Sequence, residues 1–253
     1  MTVAVVVAIE HASVEIGYAG DFRSVGKMEK CIDWLDDDME AYTMCRSWFH
    51  DIVMYNSKGA KVVISEPMWL SMVRKQRLCK VLFGRLKVNS ICFVPNCLNA
   101  FIAGGIMNGL YIEVNPKNTE VIAIFDGRIL DPYCKSSKLG SADIDEFYKT
   151  EEDVYDDDEL PLTILLNNVL AKLPIDVRKR ISNQVMLVSE DRQVMNYILA
   201  QKNVVDTMGP WVGASIYTWN NLLKGRPDHL EVTQSDFNDT GRIPDWHSHK
   251  FEV

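Results

Sequence analysis

Apolar residues in this chain come in short unbroken runs, divided by polar tips and by stretches of three-to-four-residue spacing. Residues 3–9 and 14–19 are two such runs and predict strands, with Glu10, His11, Ala12 and Ser13 as a tight hairpin tip between them. Residues 28–55 predict a helix whose apolar stripe is Trp34, Tyr42, Trp48, Phe49, Ile52 and Val53. Residues 61–65 predict a short buried strand. Residues 71–86 predict a second helix, with Val73, Leu78, Val81, Leu82 and Leu86 on its apolar side. Its Arg74, Lys75, Arg77 and Lys80 make a basic face, which serves solvation or docking. Residues 90–94 predict a strand, and Pro95 opens a helix that runs to about Ala103.

The same order then recurs. Residues 110–114 and 119–125 predict strands around a second tip, and helix and strand alternate afterwards: helix 162–173, strand 184–188, helix 190–200, strand 203–207 and a long helix over 210–223. Residues 131–160 have no period and include the acidic run 151–159, which predicts an irregular loop. A layered α/β unit that occurs twice predicts two similar lobes. Residues 1–103 and 209–253 form the first, and 104–208 the second.

The charge of −8 excludes some partners, because an acidic surface does not attract nucleic acid or anionic membrane over long range. No apolar run approaches the length of a membrane span, and the run at 3–9 is too short for a signal-peptide core. The six cysteines are scattered and none forms a CxxC pair. They point to reduced thiols in a cytoplasmic protein rather than to a zinc site or a disulfide framework. His247 and His249 form a lone His-x-His, too few ligands for a metal. No Ser-His-Asp or paired-carboxylate arrangement stands out.

Five collinear stretches carry a resemblance. They are Gly17-Tyr18-Ala19-Gly20-Asp21, Asp37-Asp38-Met39-Glu40, the run Lys61 to Trp69, Pro174-Ile175-Asp176-Val177-Arg178-Lys179, and Trp211-Val212-Gly213-Ala214-Ser215. Together they resemble the actin family. The resemblance implies an actin-like (ribonuclease H-like) two-lobed ATPase fold. Between Asp21 and Asp37, and between Leu130 and Leu162, the chain is much shorter than actins, so both small upper subdomains are reduced or deleted. With Leu173-Pro174-Ile175-Asp176 and Pro244-Asp245-Trp246, the pattern is most similar to the actin-related subunits at the pointed end of dynactin.

That likeness implies a cytoplasmic, cytoskeletal protein of dynein-dependent microtubule transport and nuclear positioning. It would cap the pointed end of dynactin's short actin-like filament. Its partners would be the filament subunit and the other pointed-end subunits, without nucleic acid, direct membrane contact or a homopolymer of its own. Two alternatives are a nuclear actin-related subunit of a chromatin-remodelling complex and a divergent actin-superfamily ATPase.

Actins hold ATP and a hydrated cation between two glycine-bearing hairpin tips. The resemblance places Ala8 at the metal-side Asp of the first tip and Glu15 at its phosphate-contacting Lys. In the second tip Glu113 replaces an Asp, Asn115 and Lys117 replace glycines, and Pro116 lacks an amide donor. Ser189-Glu190-Asp191 stands for the third nucleotide loop, so Glu15, Glu190 and Asp191 are expected near a polyanion's place. Asn96 and Glu120 replace the water-positioning residues. The degenerate tips (Glu10, His11, Glu113, Asn115, Lys117 and Ser189) therefore imply no catalysis and no cofactor, with ATP or ADP still held by the divergent tips as the alternative. For partner binding the resemblance implies an apolar cleft between the lobes, carried over to Ile102, Gly105, Met107, Gly127, Arg128, Tyr217 and Leu222. The basic helix face is the alternative contact.

Overall fold

The computed structural model describes residues 3–143, 148, 155–189, 191–200, 202–221, 230–244, 246 and 251, with the backbone alone at 222–224. The chain divides into two compact units, residues 1–103 with 208–253 and residues 104–207. It is an α/β protein with the actin-like two-lobed fold.

The first unit is built on strands β1 (Ala4–Ile9), β2 (Ser13–Tyr18), β3 (Gly26–Glu29), β4 (Lys61–Glu66), β5 (Ser90–Pro95) and β12 (Glu231–Thr233), in the order β12-β5-β4-β1-β2-β3. β1 pairs parallel with β4, and β4 with β5; the remaining pairings are antiparallel. Every residue of β1, β4 and β5 is buried. A central strand covered on both faces favours apolar groups, and the apolar runs in the sequence record that, with Lys61, Ser65, Glu66 and Ser90 as buried polar exceptions at the strand ends. Val5, Val7, Ile9, Val62, Ile64, Ile91 and Phe93 share one core. That core is completed by α1 (Asp38–Ser47) and α2 (Met72–Cys79), each of which continues into a π-type turn, at Trp48–Ile52 and Lys80–Arg85. Helix α3 (Asn96–Ala103) and helix α7 (Pro210–Lys224) pack against each other, and α7 also meets β1 and β4. α8 (Gln234–Thr240) follows β12.

The second unit repeats the plan. Its strands β6 (Gly109–Val114), β7 (Thr119–Phe125), β8 (Arg128–Ile129), β10 (Gln184–Ser189) and β11 (Asn203–Val204) run in the order β11-β10-β6-β7-β8, and β9 (Lys135–Ser137) adds to β7. β6–β7 is antiparallel and β6–β10 parallel, matching β1–β2 and β1–β4. Leu110, Ile112, Val121 and Ala123 meet Leu162, Leu165 and Val169 of α4 (Leu162–Lys172), Ile181 of α5 (Ile175–Ile181), and Val194 and Ile198 of α6 (Arg192–Leu199).

The expected helix over 28–55 is corrected. Met28 lies in strand β3 opposite Val14, and a 3-10 helix, Ile32–Asp36, precedes α1. Two forces override the periodicity. Backbone bonds from Lys30 N to Ala12 O and from Ile32 N to His11 O zip the segment to the first tip. Asp37, in extended geometry, caps α1 through its carboxylate, which accepts from the amides of Met39 and Glu40 at 2.8 and 2.9 Å. The stretch with no period contains a 3-10 turn, Asp131–Tyr133, and strand β9. Strand 203–207 shortens to the two residues of β11.

Candidate nucleotide tips and partner surface

Two of the family-like stretches form one joint in the first unit. The Trp211 indole donates to the Val6 carbonyl at 3.0 Å, fastening α7 to β1. A Cβ on Gly17 would lie 2.7 Å from that indole, and a Cβ on Gly213 would lie 1.7 Å from the Asn99 carbonyl oxygen of α3. Both glycines are therefore demanded by close approach. The Ser215 hydroxyl accepts from Gly20 N at 2.9 Å and donates to Asp21 O at 2.8 Å. The residues that carry the resemblance thus hold the scaffold together.

The basic face of α2 finds partners within the chain. Arg74 pairs with Asp36, Arg77 with Asp38 and the Leu35 carbonyl, and Lys75 is buried against Glu66. Glu66 is fully buried; its Oε1 accepts from Lys75 Nζ at 2.5 Å and from the Trp246 indole at 2.8 Å. Burial raises the Glu66 carboxyl to about 7, with the Lys75 charge and both hydrogen bonds acting against it. Three of the four cations of this face thus have partners within the chain, Lys75 buried and Arg74 and Arg77 at the surface. Sequence spacing gives the face, but only the fold shows that Asp36, Asp38 and Glu66 lie opposite it.

At the first tip, Glu10 N donates to Ser13 O at 2.9 Å, and the Ser13 hydroxyl donates to Glu10 Oε2 at 2.8 Å. The tip closes on itself, and the His11 and Ala12 carbonyls are taken by residues 30–32. Ala8 is a buried methyl paired with Glu15 across the hairpin. Asn96 is buried behind the tip; its Nδ2 donates to Ile9 O at 2.7 Å and its Oδ1 accepts from Ser65 at 2.6 Å. Its amide bolts β1 to β4, a structural duty in place of water positioning.

At the second tip, Asn115 N donates to Asn118 O at 2.9 Å. Glu113 and Glu120 are buried directly opposite one another on β6 and β7. Glu113 accepts from Tyr111 OH at 2.9 Å and from Asn115 Nδ2 at 3.3 Å, and Glu120 accepts from Asn118 Nδ2 at 3.3 Å. A segment unforeseen in the sequence lies over this tip. Ser141 N and Ala142 N each donate at 3.0 Å, to the Asn115 and Pro116 carbonyls. Gly140 sits so close that a Cβ would fall 2.3 Å from the Asn115 oxygen. Gly140 was the available sequence signal, but no period marked its surroundings.

A magnesium nucleotide held in the actin manner needs a carboxylate at the first tip and outward amides at the second. The first has the Ala8 methyl at that position, and the second has Pro116 without a donor. The residues present do not fit that group. In the third loop, Asp191 is the N-cap of α6 and accepts from Gln193 N and Val194 N at 2.7 and 3.3 Å. Its charge thus offsets a helix end, which corrects the expectation that it faces a polyanion. Ser189 Oγ accepts from Asp191 N at 3.1 Å. Glu190 lies outside the described residues. So do His247, His249, and residues 151–154 of the acidic run. Among the described residues no cluster of three or more His, Cys, Asp or Glu is arranged for a metal. Burial pushes the Cys79 and Cys134 thiols up to about 12, which leaves them unreactive.

The expected partner residues separate by unit. In the second, Gly127 N donates to Met107 O at 3.0 Å and Asp126 N to Asn108 Oδ1 at 2.9 Å. Asp126 and Gly127, with φ of 51° and 65°, form the two-residue turn between β7 and β8. Gly105, Met107, Gly127 and Arg128 are thereby gathered, with Gly105, Met107 and Arg128 exposed. In the first unit, Ile102 is half-buried near the end of α3. Tyr217 is buried on α7 with its ring 5.3 Å from Phe251, so it is a packing residue, not an open groove wall. The Leu222 side chain lies outside the described residues.

Two sheets of one strand order, each led by a hairpin tip, give the actin-like two-lobed α/β fold. A family model described as Actin matches residues 32–152, a little under half of the chain. A curated relative, "Actin-like protein ARP10" of Saccharomyces cerevisiae (strain ATCC 204508 / S288c), is 24% identical over 156 residues, covering 56% of this chain and 55% of the relative. The match thus spans about half the length of that relative.

Proposed function

We propose that this chain is a non-catalytic actin-related subunit of dynactin that caps the pointed end of its short actin-like filament. The observation that carries this is the closure of the first unit between β3 and α1. Where the resemblance places an inserted upper subdomain, the chain passes from Glu29 to Asp38 through a single 3-10 helix, Ile32–Asp36. Actin subunits join head to tail, a contact that continues until a subunit offers nothing further. A subunit without that subdomain can seat on the last filament subunit and present little to the next.

The tips support a role without hydrolysis or bound nucleotide, because Ala8, Pro116 and the capped Asp191 supply neither the cation ligand nor the phosphate donors. Ile175, 77% exposed at the start of α5, and the exposed Met107 with Arg128 are apolar and cationic groups suited to a filament contact. The test is recovery of tagged protein from cells, followed by a pointed-end exchange assay on purified actin-like filaments. Co-purification with the filament subunit and slowed pointed-end exchange are expected. Recovery with chromatin remodellers, or phosphate release from magnesium ATP at an actin's rate, overturns the proposal. Met107→Asp with Arg128→Glu should leave the circular dichroism intact and weaken capping at least tenfold.

A further inference from the structure

At the N-terminal ends of β4 and β5, opposite the end that bears the first tip, two loops lie side by side. Three hydrogen bonds join them: Ser57 Oγ to Leu86 O at 2.7 Å, Gly59 N to Lys87 O at 3.1 Å, and Asn89 N to Ala60 O at 2.8 Å. Gly59 and Lys87 both have left-handed backbones, with φ of 82° and 56°. For a lysine that conformation is uncommon and persists where its surroundings impose it. The loops thus present Lys58 and Lys87 from fixed backbones. Across from them stand Thr233, Ser235 and Asn238, at and within the start of α8, and together these walls enclose a groove of about 730 Å³.

The groove inverts the charge of the molecule. The chain carries −8, yet two lysines line this groove and no carboxylate does. Neither lysine has an ion-pair partner among the described residues. Of the nearby acids, Glu231 pairs with Lys61 at 2.6 Å and Asp236 is held in the capping box with Thr233, while Asp239 beside Asn238 is exposed and does not line the groove. Lysine ammoniums on flexible stems suit carboxylates at adjustable positions, while hydroxyl and amide groups suit a peptide backbone.

We propose that this groove docks an extended acidic peptide segment of a partner protein. Its carboxylates lie between Lys58 and Lys87, and its backbone lies against Asn89, Ser235 and Asn238. The groove is a local reversal of the chain's net negative charge, which favours an acidic segment there.

The test is fluorescence anisotropy of a fluorescein-labelled hexaglutamate peptide with the full chain. Saturable binding is expected, weakened at least tenfold by K58E/K87E and reduced between about 50 and 200 mM salt. Both lysines are exposed, so the double variant keeps its circular dichroism and thermal midpoint. As a second measure, K58R/K87R retains binding. Absence of binding to the wild type overturns the proposal, as does equal affinity for K58E/K87E. So does lysine-dependent binding of an RNA oligonucleotide or anionic vesicle in preference to the peptide. None of these outcomes depends on filament capping.

Discussion

In the first unit the crossovers are fastened by buried charges and amides: Glu66 with Lys75, Lys61 with Glu231, and Asn96 with Ser65 and Ile9. In the second, the same strand order is fastened by a leucine-rich helix and by hydroxyls that donate to backbone carbonyls, such as Ser137 to Leu160 and Thr119 to Leu139. The difference teaches that one topology has two ways of fixing its register. Buried polar partners are costly to break singly, because the survivor is left unsolvated. Apolar packing and backbone-directed hydroxyls lose less per change.

The comparison is tested most severely at Lys75. Lys75→Met leaves the Glu66 carboxyl buried without its cation and should lower unfolding free energy by about 3 kcal/mol or more. Lys75→Met with Glu66→Gln should restore most of it, as read by urea denaturation; additive losses would contradict a coupled pair. The same carboxyl sets a pH dependence. Its folded pKa of about 7 lies above the ordinary 4.5, so the native state holds this proton more tightly than the unfolded chain. The stability it contributes is full below about pH 4.5 and is lost as pH rises to about 7, a slope that Glu66→Gln should flatten.

Next in size is Gly213→Ala, whose new methyl meets the Asn99 backbone and should destabilise by about 3 kcal/mol, whereas Gly84→Ala meets nothing and should change stability by no more than about 1 kcal/mol. Asn96→Ala removes two buried hydrogen bonds and should cost about 2 kcal/mol. The smallest effects are expected in the second unit. Ser137→Ala should cost about 1 kcal/mol, and Asp191→Ala, which strips the α6 cap, a similar amount in thermal denaturation. If the second-unit changes proved the larger, the contrast between the units would fail.

Much of this plan was legible in the residues. Strands largely covered on both faces keep an apolar centre, so β1, β4, β6 and β10 stand out as apolar runs with polar residues mainly near their ends. Helices α4 and α7 carry strong periods of their own. The sequence misled where long-range bonds decided local geometry. Residues 28–55 have a helical stripe, yet bonds to the first tip hold the chain up to Cys31 out of the helix. The degenerate tips could be read residue by residue. The cover of Gly140 over the second tip could not, because a glycine's need for contact lies in the element it touches. Likewise the basic stripe of α2 looked available for solvent until Asp36, Asp38 and Glu66 came within reach.

The discontinuity of the first unit sets an order for synthesis. Its strand β1 leaves the ribosome well before Trp211, which closes on Val6 and follows 205 positions later. Until α7 emerges, β1 and β4 lack the helix that packs on one of their faces. Residues 104–207, an uninterrupted stretch, complete their own leucine core in the meantime. The unit that holds β1 is therefore finished after the unit that follows β1 in the chain, and for that interval it presents bare valine and isoleucine to chaperones.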